Sequence, residues 1–422
     1  MPAPQARGDG CESFEVAEIC AGAGGQAFGL ERAGFDHAVA VELDGNACNT
    51  LRLNRPSWKI AEGDVADQSV WRPADFQGVS LLAGGVPCPP FSIAGKQLGA
   101  DDERDLFAWA VEQVAVVKPR AVLLENVRGL SLPRFAGYRQ HVLDRLTELR
   151  YVPSWRLLHA SDHGVPQLRP RFILVALKSE DAPYFRWPAS AGEPPTVGQA
   201  LASLMGANGW QGTCDWAAKA NKIAPTIVGG SHKHGGADLG PTRARRAWAG
   251  LGVNGSSLAD VAPSWGDRFD VGPKLTNEMV ARIQGWSADF EWSFTGSKTA
   301  KYRQIGNAFP PPVAHAVGAE LMRAFKRERG LRDVEAAGRD VLFEALRSAE
   351  GFSGRSRLMQ LAGIVEGAEL ERRLSALSRD FELQVDGTGA EPAYRLGKFR
   401  GFTGQADHRR HGAFLKRRAR IS

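Results

Sequence analysis

Phe14-Glu15-Val16-Ala17-Glu18-Ile19-Cys20, running into Ala21-Gly22-Ala23-Gly24-Gly25, is the stretch on which the fold turns. The first seven residues read as a strand and the next five as a glycine-rich turn; a helical pattern then runs from Gln26 to a stop at Gly34. Strand, glycine turn and helix in that order open a nucleotide-binding unit. The glycines let backbone approach a ligand, and the helix N-terminus lies beside it. A second strand over residues 38–41 ends in Glu42-Leu43-Asp44. An acidic residue about 20 positions past the glycines suits a ribose diol.

The same alternation continues downstream. A helix over 46–54 leads to a short third strand ending Glu62-Gly63-Asp64-Val65. Asp64 there either accepts a hydrogen bond from an amino group such as that of adenine or caps a helix. The apolar run 79–83 is a fourth strand, followed by Gly84-Gly85-Val86-Pro87-Cys88-Pro89-Pro90-Phe91-Ser92. A cysteine fixed between prolines at a strand end is either a presented nucleophile or a small buried hydrophobe in a tight turn. A helix over 105–117 and a nearly all-apolar strand over 120–124 deliver Glu125-Asn126-Val127. A helix over 134–149, a strand near 155–159, Val165-Pro166-Gln167-Leu168-Arg169-Pro170-Arg171 and a strand over 172–177 complete the series. Buried apolar strands alternating with helices predict an α/β fold with a doubly wound, mostly parallel sheet.

Composition narrows the class. The 422 residues exceed one small core and point to two or three domains, and 43% hydrophobic with 24% charged residues is ordinary for a soluble globular chain. No apolar run approaches the roughly 20 residues that span a bilayer, and the first residues lack the apolar core of a signal peptide. The five cysteines, at 11, 20, 48, 88 and 214, form no Cys-x-x-Cys. Neither a disulfide framework nor a metal site is indicated, and a reducing cytoplasm is expected. The net charge of +6 favours an anionic partner.

From 182 to 273 the texture changes: Gly, Pro, Trp and isolated charges dominate and periodicity is weak, which predicts a separate loop-rich insertion. Helical patterns resume over 275–285 and 311–329. Beyond 331, helices over 339–347, 357–361 and 369–377 and strands over 381–385 and 394–399 would suit a winged-helix module, and a run from 408 to 420 carries six Lys or Arg residues.

Taken together, the motifs identify a resemblance to the cytosine-5 DNA methyltransferases of the bacterial restriction–modification type, over about residues 14–326. The matching blocks occur in that family's order: Glu18-Ile-Cys-Ala-Gly-Ala-Gly-Gly25, Val41-Glu-Leu-Asp44, Gly63-Asp-Val65, Gly84 to Ser92 and Glu125-Asn-Val127. Then come Gln167-Leu-Arg-Pro-Arg171, Lys274-Leu-Thr-Asn-Glu278 with Arg282-Ile-Gln-Gly-Trp286, and Gln304-Ile-Gly-Asn-Ala-Phe-Pro-Pro311.

The resemblance implies S-adenosyl-L-methionine as methyl donor, S-adenosyl-L-homocysteine as product, and duplex DNA as partner. Cys20, Ala21, Gly22, Gly24, Gly25, Glu42, Leu43, Asp64, Val65, Pro87, Leu106, Asn307 and Ala308 would form the cofactor site. Glu42 would take the ribose hydroxyls and Asp64 the adenine amino group. Two positions depart from the family: Cys20 stands where Phe usually packs on adenine, and Glu18 where Asp is common. Cys88 would attack carbon-6 of a flipped-out cytosine, with Glu125 on ring nitrogen-3 and Arg171 on the carbonyl oxygen, Arg169 beside it. Glu125 also reads as a salt-bridged strand end, and the two arginines equally as phosphate clamps. Loop residues 92–104, with Ser92 and Gln97, together with Arg128 and the insertion's Thr226, Ile227, Lys233, Arg243 and Arg245, are the expected DNA contacts.

These expectations divide the chain into a catalytic and cofactor domain (1–183 and 274–330), a target-recognition domain (184–273) and an extension (331–422). Two further functions compete: a tRNA methyltransferase of the same fold, and a non-catalytic DNA-binding relative. The long insertion and basic tail weigh against the first, and the intact Cys88, Glu125 and Arg171 against the second.

Overall fold

The computed structural model describes residues 13–86, 106–132, 135–229, 236–286, 292–333, 340–387 and 391–399. The catalytic half begins β1 (Phe14–Ile19), α1 (Gly25–Arg32), β2 (Phe35–Glu42), α2 (Gly45–Asn54), β3 (Ile60–Glu62) and β4 (Leu81–Gly84). It continues α3 (Leu106–Val117), β5 (Ala121–Val127), α4 (Ala136–Glu148), β6 (Tyr151–His159) and β7 (Pro170–Lys178). These strands form one sheet in the order β3-β2-β1-β4-β5-β7-β6.

The pairs from β3 to β5 are parallel, whereas β7 runs antiparallel to both β5 and β6. The short link of residues 160–169 accounts for that reversal, since a parallel return needs a crossover of a dozen or more residues. Apolar residues on both faces of β4 and β5 are covered from each side. Phe107, Trp109 and Val114 of α3 with Tyr138 and Val142 of α4 cover one face. Leu30 of α1 with Val317, Leu321 and Phe325 cover the other. Trp109 is fully buried, so its truncation to alanine would cost about 3–5 kcal/mol.

The insertion differs from expectation. It holds three helices, α5 (Val197–Met205), α6 (Thr213–Lys219) and α7 (Thr242–Gly250), with named strands absent among its described residues. In α5 a single stripe of Val197, Leu201 and Met205 is buried behind a Thr196–Gln199 capping box. Nor is the segment a separate core. Leu201, Trp216 and Trp248 pack in one cluster with residues of α8 (Asn277–Gln284) and α9 (Lys298–Asn307). Helix α9, capped by Ser297, went unrecognised in the sequence because the Gln304–Pro311 block masks its end. Helix α10 (Pro311–Phe325) starts with proline in its first turn and stops before residue 329.

Beyond it lie α11 (Val341–Arg347), β8 (Ser353–Gly354), α12 (Arg355–Ala362), α13 (Gly367–Asp380), β9 (Phe381–Asp386) and β10 (Ala393–Phe399). Their sheet is antiparallel, ordered β8-β10-β9, over a core of its own that includes Phe343, Leu358, Leu374 and Tyr394. The module is seated on α4. Phe399 stacks on His141 at 4.0 Å, Phe381 meets the same ring edge-on at 5.7 Å, and Arg347 pairs with Asp144.

Candidate active site

The carboxyl ends of β1, β2, β4 and β5 open into one cavity of about 330 Å³, closed on its far side by α9 and the link of Ala308 and Phe309 that follows it. Such strand ends are where open α/β sheets bind ligands. Glu42, at the end of β2, organises the first wall. Its Oε2 accepts the Gly22 N–H at 2.7 Å, and its Oε1 accepts those of Leu43 and Asp44 at 2.8 Å each. Burial raises its carboxyl pKa, and the three backbone amides pull against that rise. One carboxylate thereby ties the glycine loop to the second strand. Asp44 beside it caps α2 by accepting from Asn46 N and Ala47 N.

Cys20 lines the cavity in a left-handed conformation, φ 51°. Burial, and after it the charges of Glu42, Asp64 and Glu18, push its thiol well above the ordinary cysteine range, so it is a neutral wall. Asp64 also lines the cavity, and its Oδ1 accepts the Ala66 N–H at 2.9 Å in a turn; no helix follows it among the described residues. Val65 is held by Trp71, whose Nε1 donates to its carbonyl at 2.6 Å. Ala21, Gly22, Gly25, Leu43, Leu106, Asn307 and Ala308 line the same space. Gly24 does not: it faces Trp292 and Leu51. Trp292 pins the loop from behind by donating to the Ala23 carbonyl at 3.0 Å.

Glu125 reaches the cavity from the end of β5. Its Oε1 lies 2.5 Å from Arg171 Nε on the antiparallel neighbour β7. Burial raises its carboxyl pKa; Arg171, and behind it Arg169, oppose the rise. A methyl group placed on Gly85 would sit 3.6 Å from Glu125 Oε2 and 3.7 Å from the Cys20 carbonyl. The end of β4, the glycine loop and the Glu125–Arg171 pair therefore meet at one point. Cys88 and Pro87 lie outside the described residues.

The C-5 cytosine-specific DNA methylase family matches residues 14–323 of this chain. The chain belongs to that family. It is similar to the Type II methyltransferase M.NaeI of Lentzea aerocolonigenes, 62% identical over 413 residues, covering 97% of this chain and 100% of that protein. It is also similar to M.NgoMIV of Neisseria gonorrhoeae, 50% identical over 319 residues, covering 75% of this chain and 99% of the relative. Among solved structures, a DNA modification methyltransferase encoded within an E. coli prophage superposes with a TM-score of 0.51 at 22% identity, over 74% of this chain and 100% of that one, which speaks to the fold. The protein is thus a DNA (cytosine-5)-methyltransferase.

Several expected contacts of this methyltransferase are placed differently from their assignment. Arg169 is spent on backbone carbonyls. It is 1% exposed, and its guanidinium donates to the carbonyls of Ile227, Gly306 and Ala308, fastening the insertion and the end of α9 to the start of β7. Ile227 is buried and its N–H donates to Gln167 Oε1; Thr226 gives its hydroxyl to the Leu168 carbonyl. That threonine–aliphatic pair anchors the loop before β7. On α7, Arg243, Arg245 and Arg246 are all exposed, and Arg245 Nε also donates to the Gly240 carbonyl. Arg128 is exposed just past β5. Ser92, Gln97 and Lys233 lie outside the described residues.

The lining residues that the sequence reading did not assign to the site include Gln26, Ala47, Ala300, Arg303 and Phe309. Arg303 and Phe309 adjoin or fall within the recognised Gln304–Pro311 block, and that adjacency was the available signal. Gln26 carried none.

Proposed function

We propose that this enzyme transfers a methyl group from S-adenosyl-L-methionine to carbon-5 of a cytosine swung out of duplex DNA, through a transient bond from Cys88 Sγ to cytosine carbon-6. The observation that carries the reading is the shared cavity: the Glu42-bound glycine loop and the Glu125–Arg171 pair face one space, so donor and base would meet there. The residues present fit the donor. A Cβ on Gly22 would meet nothing within 4 Å, which leaves open room where backbone approaches a ligand. Glu42 would hold the ribose hydroxyls, Asp64 and Val65 the adenine edge, with Cys20 and Leu43 as aliphatic walls. When bound, the donor supplies an electrophilic methyl group.

The chain's own residues do the rest. Carbon-5 of cytosine is a weak nucleophile, and addition of a thiolate at carbon-6 turns the ring into an enamine. Glu125, its carboxyl pKa raised by burial, is suited to sit protonated against ring nitrogen-3 and neutralise the charge that develops there. Arg171 would turn the guanidinium edge that now donates to the Pro170 carbonyl toward the cytosine carbonyl while keeping Glu125 in place. After methylation, loss of the carbon-5 proton and departure of the thiolate restore the enzyme. Flipping the base out of the duplex costs a few kcal/mol, which the loop of residues 92–104 would offset.

Residues 184–273 would read the target sequence, with Arg243, Arg245 and Arg246 available to bases or phosphates. The C-terminal order of helix, strand, two helices and a hairpin reads as a winged-helix module outside the family's own span. The likeness to Type II methyltransferases supports a role in protecting bacterial DNA within a restriction–modification system. It would act as a cytoplasmic monomer on the nucleoid, beside an endonuclease that cuts the same site without a stable complex.

The test is tritiated methyl transfer to duplex DNA and to tRNA, by the wild type and by Cys88→Ser, with bisulfite sequencing of the expression host to locate the site. A duplex carrying 5-fluorocytosine at that site should trap covalently on residue 88. Transfer to tRNA alone, or full activity in Cys88→Ser, would overturn the reading.

A further inference from the structure

We propose that Gln26 is a cofactor-positioning residue whose side-chain amide holds the amino-acid end of the methyl donor; this rests on reading the cavity as the donor's site. Gln26 lies in the first turn of α1, is 3% exposed and lines the cavity, yet neither amide atom has a hydrogen-bond partner among the described residues. A buried amide left without partners is costly and calls for a partner that the chain itself does not supply. The neighbouring polar groups are engaged: Gln304 receives from Thr50 and donates to the Thr295 carbonyl, and Glu125 pairs with Arg171.

The chemistry of the orphan selects its partner. A primary amide offers donors and an acceptor side by side. Its complement presents a carboxylate and an ammonium on adjacent positions, as the α-amino acid end of the donor does. Placement agrees. The carboxylates Glu42, Asp44 and Asp64 crowd the end of the cavity near β2 and β3 and would repel a further negative group. At the other side, α1 begins without a side-chain cap, so its first N–H groups and positive dipole end favour a carboxylate. A Cβ on Gly25 would lie 3.0 Å from Ala308 Cβ, which sets this turn directly against the wall formed by the end of α9.

The experiment compares two ligands by calorimetry on the full-length chain. S-adenosyl-L-homocysteine carries the amino-acid end, and 5′-methylthioadenosine lacks it. Gln26→Met, nearly isosteric, should bind S-adenosyl-L-homocysteine about tenfold to a hundredfold more weakly than wild type, while 5′-methylthioadenosine changes by less than about twofold. The ligand-free variant should melt higher than wild type, because an unsatisfied amide has been replaced by an apolar group. Gln26→Asn, which keeps the amide but shortens its reach, should show the same ligand discrimination. Equal loss for both ligands, no loss for either, or a lower melting temperature in ligand-free Gln26→Met would overturn the proposal. If wild type binds neither ligand, the donor-site reading falls with it; if it binds both and Gln26→Met changes neither, only the role of Gln26 falls.

Discussion

Two glycines in the same loop should fail in opposite ways when given a methyl group. Gly22 and Gly24 both have positive φ, 56° and 90°, so alanine at either costs about 1–2 kcal/mol of backbone strain. Their surroundings differ. A Cβ on Gly22 meets nothing within 4 Å, whereas one on Gly24 lies 2.5 Å from Trp292 and 2.8 Å from Leu51. Overpacking of that kind adds about 1–3 kcal/mol, for a total near 2–5 kcal/mol. Trp292 cannot easily retreat, because it donates to the Ala23 carbonyl and packs on Phe28 with ring centroids 5.2 Å apart. Gly24→Ala should therefore lower the urea midpoint strongly. Gly22→Ala should lose only about 1–2 kcal/mol of stability but bind S-adenosyl-L-homocysteine at least about tenfold more weakly, since its methyl enters the cavity. Urea unfolding and calorimetry on the two variants separate these outcomes. Equal destabilisation, or wild-type ligand affinity in Gly22→Ala, would refute the assignment of one glycine to the ligand and the other to the core.

Arg169→Met should destabilise by about 2–4 kcal/mol in urea unfolding, because the buried Ile227 and Gly306 carbonyls lose their donor while that of Ala308 keeps Gln284 Nε2, and an unchanged midpoint would show the strut to be dispensable. Burial raises the Glu125 carboxyl pKa, so its acid form persists above the ordinary 4.5 and disappears as pH climbs through the raised value. Single-turnover methyl transfer should then fall on the alkaline side, and Glu125→Gln should abolish that fall at a lower overall rate. Glu18, wholly buried against His37, is likewise raised by burial. Its contribution to stability is full below about 4.5 and is lost as pH rises through the folded value, so Glu18→Gln should flatten that loss in melting curves recorded upward from pH 4.5. Phe399→Ala, which removes the stack on His141, should release the C-terminal module from α4 and speed proteolytic cutting between the two bodies while both cores stay folded. Cleavage at the wild-type rate would show that the seat does not depend on that ring.

Much of the site was legible because its chemistry is local. A carboxylate at a strand end, glycines where backbone must turn, and Glu125 after an apolar run are each written in a few consecutive residues. The helices of the insertion were less legible, since α5 and α7 are short and their apolar faces make sense only against α8 and α9. Thr226 and Ile227 looked like DNA contacts because nothing in their neighbourhood reveals that the partners are Leu168 and Gln167, nearly sixty residues earlier.

By itself the sequence determined the order of the sheet's strands and the helices between them, the family, and which residue types stand at the strand ends, since period, turn chemistry and motif are properties of short windows. Only the tertiary structure decided the reversal of β7, which three carbonyls Arg169 ties together as a strut, and the isolation of Gln26. Those depend on which distant groups a buried polar atom finds, or fails to find, when the chain closes on itself.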